Sequence, residues 1–418
     1  MPLRLPTLAR ACNVRIERVK SLAHACFAPS RAQPAHWSGV FAMSLCVFAL
    51  IASEFMPVSL LTPIAADLHV TEGLAGQGIA ISGAFAVFAS LSISWLAGGI
   101  NRKTLLLALT SLMAISGAVV ALAPNYLTYM AGRALIGVVI GGFWSLSAAT
   151  AMRLVPADQV PRALAVFNGG NALATVIAAP LGSYLGSVVG WRGAFFCLVP
   201  VAAIALVWQG ISLPAMPAQA REAGSGNVFK VLASRPVALG MAACGAFFMG
   251  QFALFTYVRP FLETVTHVSV STLSLILLAI GVAGFIGTAL IGAVLKRSVY
   301  GTLIVIPALM AVIALMLIPF GARVAGVVVL LGLWGLMATS APVGWWSWIA
   351  EAMPHNAEAG GGLMVAVIQL AIALGSTVGG LLFDSAGYAS TFMASAAALL
   401  LAACLAFLTS RSPLRQAA

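Results

Sequence analysis

The segment SGVFAMSLCVFALIASEFMPVSLLTPIAADL, Ser38 to Leu68, is apolar for longer than a bilayer requires. Roughly 20 such residues, rising about 1.5 Å each, cross the hydrocarbon core. One carboxylate, Glu54, interrupts the run. Counted from Ser38 it falls about 24 Å along a helix, in the far half of a membrane. An acid at that depth costs on the order of 3 kcal/mol on insertion scales. Glu54 is therefore either a proton carrier with a cavity built around it, or a helix-end residue that reaches headgroups or a neighbour. An acid so placed is rarely idle, which favours the first reading. Pro57 and Pro63 follow, so the backbone past Glu54 is expected to bend and open locally.

The rest of the chain extends this pattern. Its 418 residues are 61% hydrophobic and 7% charged, where a soluble domain carries about a quarter charged residues. This is the composition of a polytopic membrane protein. The 41 glycines suit helices that pack closely without a hydrophobic drive between them. The net charge of +11 does not mark a nucleic-acid partner, because the basic residues lie in short loops between apolar runs. The six cysteines and five histidines are scattered without metal-ligand spacing, and no disulfide framework is implied. No enzyme site or cofactor site is read, and with no phosphate-cradling Walker loop, ATP-driven transport is not expected.

Twelve apolar spans are expected, near 38–64, 73–100, 104–123, 126–153, 162–189, 193–213, 236–260, 270–295, 299–320, 323–350, 358–386 and 389–410. Residues 1–37 read as a basic, Pro-rich arm without a secretory h-region. Residues 214–235 read as a polar linker between six-helix bundles at 38–213 and 236–410, and 411–418 as a tail. With the arm inside, all but four of the 21 Lys and Arg lie on the cytoplasmic side, the four being Arg133, Arg192, Arg259 and Arg323. That asymmetry places both termini in the cytoplasm of an inner-membrane protein. The halves echo each other: Pro156, Asn171 and Gly182 match Pro354, Gln369 and Gly380 at one common spacing. Duplicated six-helix halves are the pattern of a transporter that rocks around a site near the midplane.

Several blocks carry a resemblance: EFMPVSLLTPIAADL (54–68), GGFWSLSAATAMRLVP (141–156), GQFALFTYVRP (250–260), APVGWWSWI (341–349) and VAVIQLA (365–371). Over residues 37–410 the chain resembles the drug:proton antiporters of the major facilitator superfamily, and these blocks look most like its purine ribonucleoside exporters. Where the family reads G-x-L-A-D-R-x-G-R-R after span two, this chain has Gly98-Gly99-Ile100-Asn101-Arg102-Lys103, with Asn101 in place of the Asp. For R-x-x-Q-G it has Arg133-Ala134-Leu135-Ile136-Gly137, and for the antiporter motif it keeps Pro180 and Gly182. The resemblance implies an all-α fold of twelve transmembrane helices. It implies proton-coupled export of purine ribonucleosides or analogues by a monomer, or broader sugar or drug export on the same scaffold. Arg102, Pro180 and Gly182 would then serve conformational change.

Within that frame, Arg133 is either a proton-coupling cation near Glu54 or an interfacial Arg reaching headgroups. Trp144 shares its helical face. Asn168, Asn171, Thr175 and Gly182 form a polar stripe, with Gln369 the matching amide in span eleven. These amides either read a polar ligand or bond between helices. Phe248, Gln251 and Phe255 share a face of span seven, as Trp334, Trp345 and Trp348 do in span ten. Such stripes either pack or offer a plate to a flat base. Arg259 beside Glu263 reads as an outer ion pair or gate, Asp384 as a residue of the outer interface with a second proton site as the lesser alternative, and Asp67 and Glu72 as solvated loop residues.

Overall fold

The computed structural model describes residues 35–96, 99–156, 159–217, 234–353 and 357–412. Most of the arm 1–37, the linker 214–235 and the tail 411–418 therefore lies outside the described residues. The described chain is helical throughout, with no strands. In order come α1 (Trp37–Ser59), α2 (Leu61–Leu68), α3 (Glu72–Leu96), α4 (Arg102–Ala121), α5 (Tyr126–Leu154), α6 (Val160–Phe196) and α7 (Leu198–Ser212). Then follow α8 (Arg235–Phe255), α9 (Val258–Thr264), α10 (Val270–Leu295), α11 (Val299–Phe320), α12 (Val324–Ala352) and α13 (Ala357–Arg411).

Among the described residues, ten helical runs are long and apolar enough to cross a membrane. Two of them, Arg162–Ser212 and Gly360–Arg411, hold 51 and 52 residues, about twice what one crossing needs. Each breaks at a glycine in the left-handed region, Gly190 with φ 75° and Gly387 with φ 78°. A side chain would be strained there, so glycine is what lets the chain turn back without a loop. Counting each side of the two breaks gives the twelve expected crossings.

Polar side chains start several helices. Asn125, Ser269 and Ser298 accept from backbone N–H groups in the first turns of α5, α10 and α11. Asn101, where the resemblance leads one to expect Asp, accepts from Lys103 N at 2.9 Å and from Met216 N at 3.1 Å. It thus caps α4 and ties down the chain after α7.

The buried apolar side chains fall into separate cores. One is built mainly from α8 to α13, around Trp334, Trp345, Trp348, Phe247 and Phe392. Two others are built mainly from α1 to α7. Glycines let the two sets of helices meet. A Cβ on Gly83 of α3 would lie 2.7 Å from the Gln369 carbonyl of α13, and one on Gly281 of α10 would lie 2.7 Å from Val176 Cα of α6. Five hydrogen bonds involving side chains join the sets among the described residues: Gln369–Glu54, Thr377–Gln77, Thr71–Asp384, Gly73–Asp384 and Arg259–Ser59. All lie at the level of Glu54 or beyond it, toward the end that carries Thr71 and Asp384. The structure is held shut at that end.

Candidate functional site

Glu54 sits inside α1 and is 6% exposed. Its Oε1 accepts from Gln369 Nε2 at 3.3 Å, and Gln369, on α13, is itself buried. The carboxylate therefore meets the other half of the molecule and not the headgroups. The amide that sequence matching pairs with Asn171 proves to be its partner.

Arg133 is 1% exposed on α5. Its guanidinium donates from Nε to the Gly78 carbonyl at 3.0 Å, from Nη1 to the Ser53 carbonyl at 2.7 Å and from Nη2 to Ser82 Oγ at 3.3 Å. Proline explains one of these. Pro57, four residues after Ser53, has no N–H to offer that carbonyl, and Arg133 supplies the missing donor. Arg133 thus braces α1 against α3 and places its charge one residue from Glu54. It makes no ion pair with Glu54, since the two ion pairs among the described residues are Arg192–Asp67 and Arg259–Glu263. The helix breaks past Glu54, as the prolines lead one to expect: α1 runs to Ser59 and gives way at Leu60, between Pro57 and Pro63.

The other predicted residues divide. Phe248 is buried, edge-on to Phe247 at 5.3 Å. Gln251 is half-buried, yet its Oε1 is buried without a partner. Phe255 lies edge-on to Phe252, and Phe252 stacks on Phe55 of α1 with centroids 6.1 Å apart and planes 23° apart. That stack joins the two halves beside Glu54. Phe55 and Phe252 are absent from the sequence-based candidates, although Phe55 is the neighbour of Glu54. Trp144 is half-buried against the core of the first half. Asn168 is exposed and donates to the Leu164 carbonyl of its own helix at 3.0 Å, and Asn171 is half-buried. Gly182 faces α1, where a Cβ would lie 2.6 Å from Ser59 Oγ. The stripe on α6 thus spans three environments.

Trp345 and Trp348 are each 1% exposed and stand edge-on at 6.0 Å. The Trp348 ring lies over Gly240 of α8, where any Cβ would collide with it. The structure sets both indoles in the core of the second half. Pro180 is half-buried in α6, and Arg102 opens α4, its N–H donating to the Met216 carbonyl at 2.9 Å.

At the shut end, Arg259 donates to the Ser59 carbonyl and pairs with Glu263 at 2.8 Å. Asp384 accepts from Thr71 Oγ1 at 2.6 Å and from Gly73 N at 3.0 Å. Asp67 lies in α2 rather than in a loop, paired with Arg192 and accepting from Trp191 Nε1 at 3.1 Å. Partial burial opposes its ionisation, but the bonds from Arg192 and Trp191 prevail and hold the carboxyl below its usual range. No group of three metal-ligating side chains occurs among the described residues.

The model of the Major Facilitator Superfamily matches residues 43–375. The chain is 69% identical over 383 residues to the Transcription regulatory protein OpdE of Pseudomonas aeruginosa, covering 91% of this chain and 95% of that one. It is 41% identical over 368 residues to the purine ribonucleoside efflux pump NepI of Salmonella enteritidis PT4, covering 88% and 92%. A bacterial homolog of the human lysosomal transporter Spinster, solved in an inward-facing and unoccupied conformation, superposes with a TM-score of 0.71. It is 14% identical, covers 91% of this chain and 98% of its own, and speaks to the fold alone. Twelve helical crossings, two facing sets of helices and these matches agree: the chain belongs to the major facilitator superfamily of membrane transporters.

Proposed function

We propose that this protein is a proton-coupled antiporter that exports purine ribonucleosides or their analogues across the inner membrane. The observation that carries the reading is Glu54, a buried carboxyl held across the interface between two facing sets of helices by Gln369. A titratable group in that place can tie its proton to the relative position of the halves. The 41% identity to a purine ribonucleoside efflux pump supports the substrate class. In this scheme both termini face the cytoplasm, the bundles 38–213 and 236–410 rock about the linker 214–235, and the monomer is the working unit. A proton reaching Glu54 from outside favours substrate release there, and its loss to the cytoplasm resets the cycle.

Everted vesicles carrying the Glu54→Gln variant test this. Proton-driven uptake of labelled inosine is expected to vanish while the protein remains folded in the membrane; uptake that still follows the pH gradient overturns the scheme. Sugar analogues and cationic dyes, run beside inosine, decide between nucleoside export and broader sugar or drug export.

A second reading is favoured by the 69% relative, whose name is that of a transcription regulatory protein. Transport by this fold would then act on transcription by setting the level of a sensed compound. A transcript profile that responds to loss of the gene and is restored by wild type, but not by Glu54→Gln, supports regulation through transport. Restoration by both variants separates the two activities.

A further inference from the structure

The Gln369 amide has two ends, and the structure satisfies one. Nε2 donates to Glu54 Oε1, while Oε1 of Gln369 is buried with no partner. The backbone at this point is pinned, because the Gln369 carbonyl abuts Gly83 of α3. What the side chain can still change is which end of the amide faces Glu54. The terminal torsion that decides this is soft.

The ionised Glu54 requires one end of the amide, and the protonated form can take the other. An ionised carboxylate only accepts, so it must be met by the NH2 group, which turns the amide oxygen away from it. A protonated carboxyl has an O–H to donate, which the amide oxygen can take, turning the NH2 group away instead. A buried acceptor without a partner favours any ligand donor that reaches it. Among the described residues, the charge acting on Glu54 is that of Arg133 from α5, with Tyr129 beside Arg133; α13 contributes the uncharged Gln369 alone.

We propose that Gln369 makes substrate affinity depend on proton binding: with Glu54 ionised it offers an oxygen to a substrate N–H or O–H, and with Glu54 protonated it offers NH2 and rejects that donor. The inference rests on Glu54 being the proton carrier. The ligand class is a molecule with a ring N–H or hydroxyl donor, which a nucleoside supplies on both base and sugar. Gln369 is thereby a specificity-determining residue as well as the positioning partner of Glu54.

The test is equilibrium binding of labelled inosine and of 1-methylinosine, which lacks the ring N–H, to the full chain in proteoliposomes across a pH series. Wild type is expected to bind inosine about tenfold more weakly once Glu54 is protonated, the size of one hydrogen bond gained or lost. Gln369→Leu is expected to bind weakly at every pH with that dependence flattened, and Gln369→Asn to recover part of it. If the Leu variant melts, Gln369→Met replaces it. Full pH dependence in Gln369→Leu or Gln369→Met, together with its loss in Glu54→Gln, overturns this inference and leaves the carrier reading standing. Full pH dependence in Glu54→Gln, or no saturable inosine binding to wild type, overturns both.

Discussion

Arg259, from the second half of the chain, donates to the carbonyl of Ser59 in the first. The helical break at Leu60 and the missing N–H of Pro63 leave that carbonyl without a helical partner. Arg259 is 6% exposed, so the bond is shielded from water, and it crosses between the halves at the shut end. Arg259→Leu strands a buried carbonyl and loses about 1–3 kcal/mol of stabilisation. Because Glu263 pairs with the same guanidinium, Glu263→Gln is expected to be milder. Hydrogen exchange across residues 57–63 is the measurement: it should quicken strongly in the Arg259 variant and little in the Glu263 variant.

Asp384 acts on the same end by another route. Its two oxygens take Thr71 Oγ1 and Gly73 N, and Leu74 N bonds Thr71 Oγ1 in turn at 3.1 Å. A carboxylate on α13 thus caps the start of α3, favoured further by the dipole of that helix. Asp384→Ala should cost about 1 kcal/mol, as cap losses do. Thr71→Ala should cost a similar amount, and the double variant less than their sum, because both remove parts of one network. Thermal unfolding in detergent gives the cycle, and strict additivity would count against the network.

Arg133 and Pro57 give a sharper case. Arg133→Met removes the donor to Ser53, and Pro57→Ala restores a backbone N–H that can reach the same carbonyl. The single Arg133→Met change should be severely destabilising, since it strands the Ser53 carbonyl in the protein interior and removes the second donor to the Gly78 carbonyl. In a Pro57→Ala background its cost should fall by about 1 kcal/mol, the value of one such bond. Arg133→Lys should not rescue, because a point charge cannot serve three acceptors on a rigid fork. Equal costs in both backgrounds would show that the proline and the arginine are unconnected.

How much of this the sequence discloses depends on what each signal requires. Apolar length is a local property, so the crossings are legible without a partner helix. Gly190 and Gly387 stand at the ends of spans five and eleven, where a turn is expected, although only the backbone angles show that helix resumes without a loop. Glu54 is legible because a charge inside an apolar run contradicts its surroundings. Its partner is not, because Gln369 lies 315 residues away and nothing local to either residue encodes the contact. Two of the three acceptors of Arg133 are backbone carbonyls of α1 and α3, which any residue type supplies. One trace of them exists: Pro57 announces a carbonyl four residues earlier in need of a donor. The polar stripe on α6 and the tryptophans of α12 show the limit of helical periodicity, which fixes a shared face without saying what that face meets.

The two aromatic groups therefore predict different phenotypes. Trp348 is fully enclosed, with its ring over Gly240 and its edge toward Trp345, in a core made mainly by one half of the chain. Trp348→Ala should lower stability by about 3–5 kcal/mol through the cavity it leaves. Gly240→Ala should also destabilise, because the added methyl has no room. Neither change should alter the ratio of affinities between inosine and 1-methylinosine in the protein that remains folded. Phe252 instead stacks on Phe55 across the interface beside Glu54, where the halves must part during transport. Phe252→Leu keeps most of the apolar volume and removes a stacking contact of about 0.5–1.5 kcal/mol. It should change the rate of inosine counterflow several-fold with only a small loss of thermal stability. A Trp348 variant that shifts the affinity ratio while melting normally would place the substrate against α12 and displace the site from the Phe55–Phe252 stack.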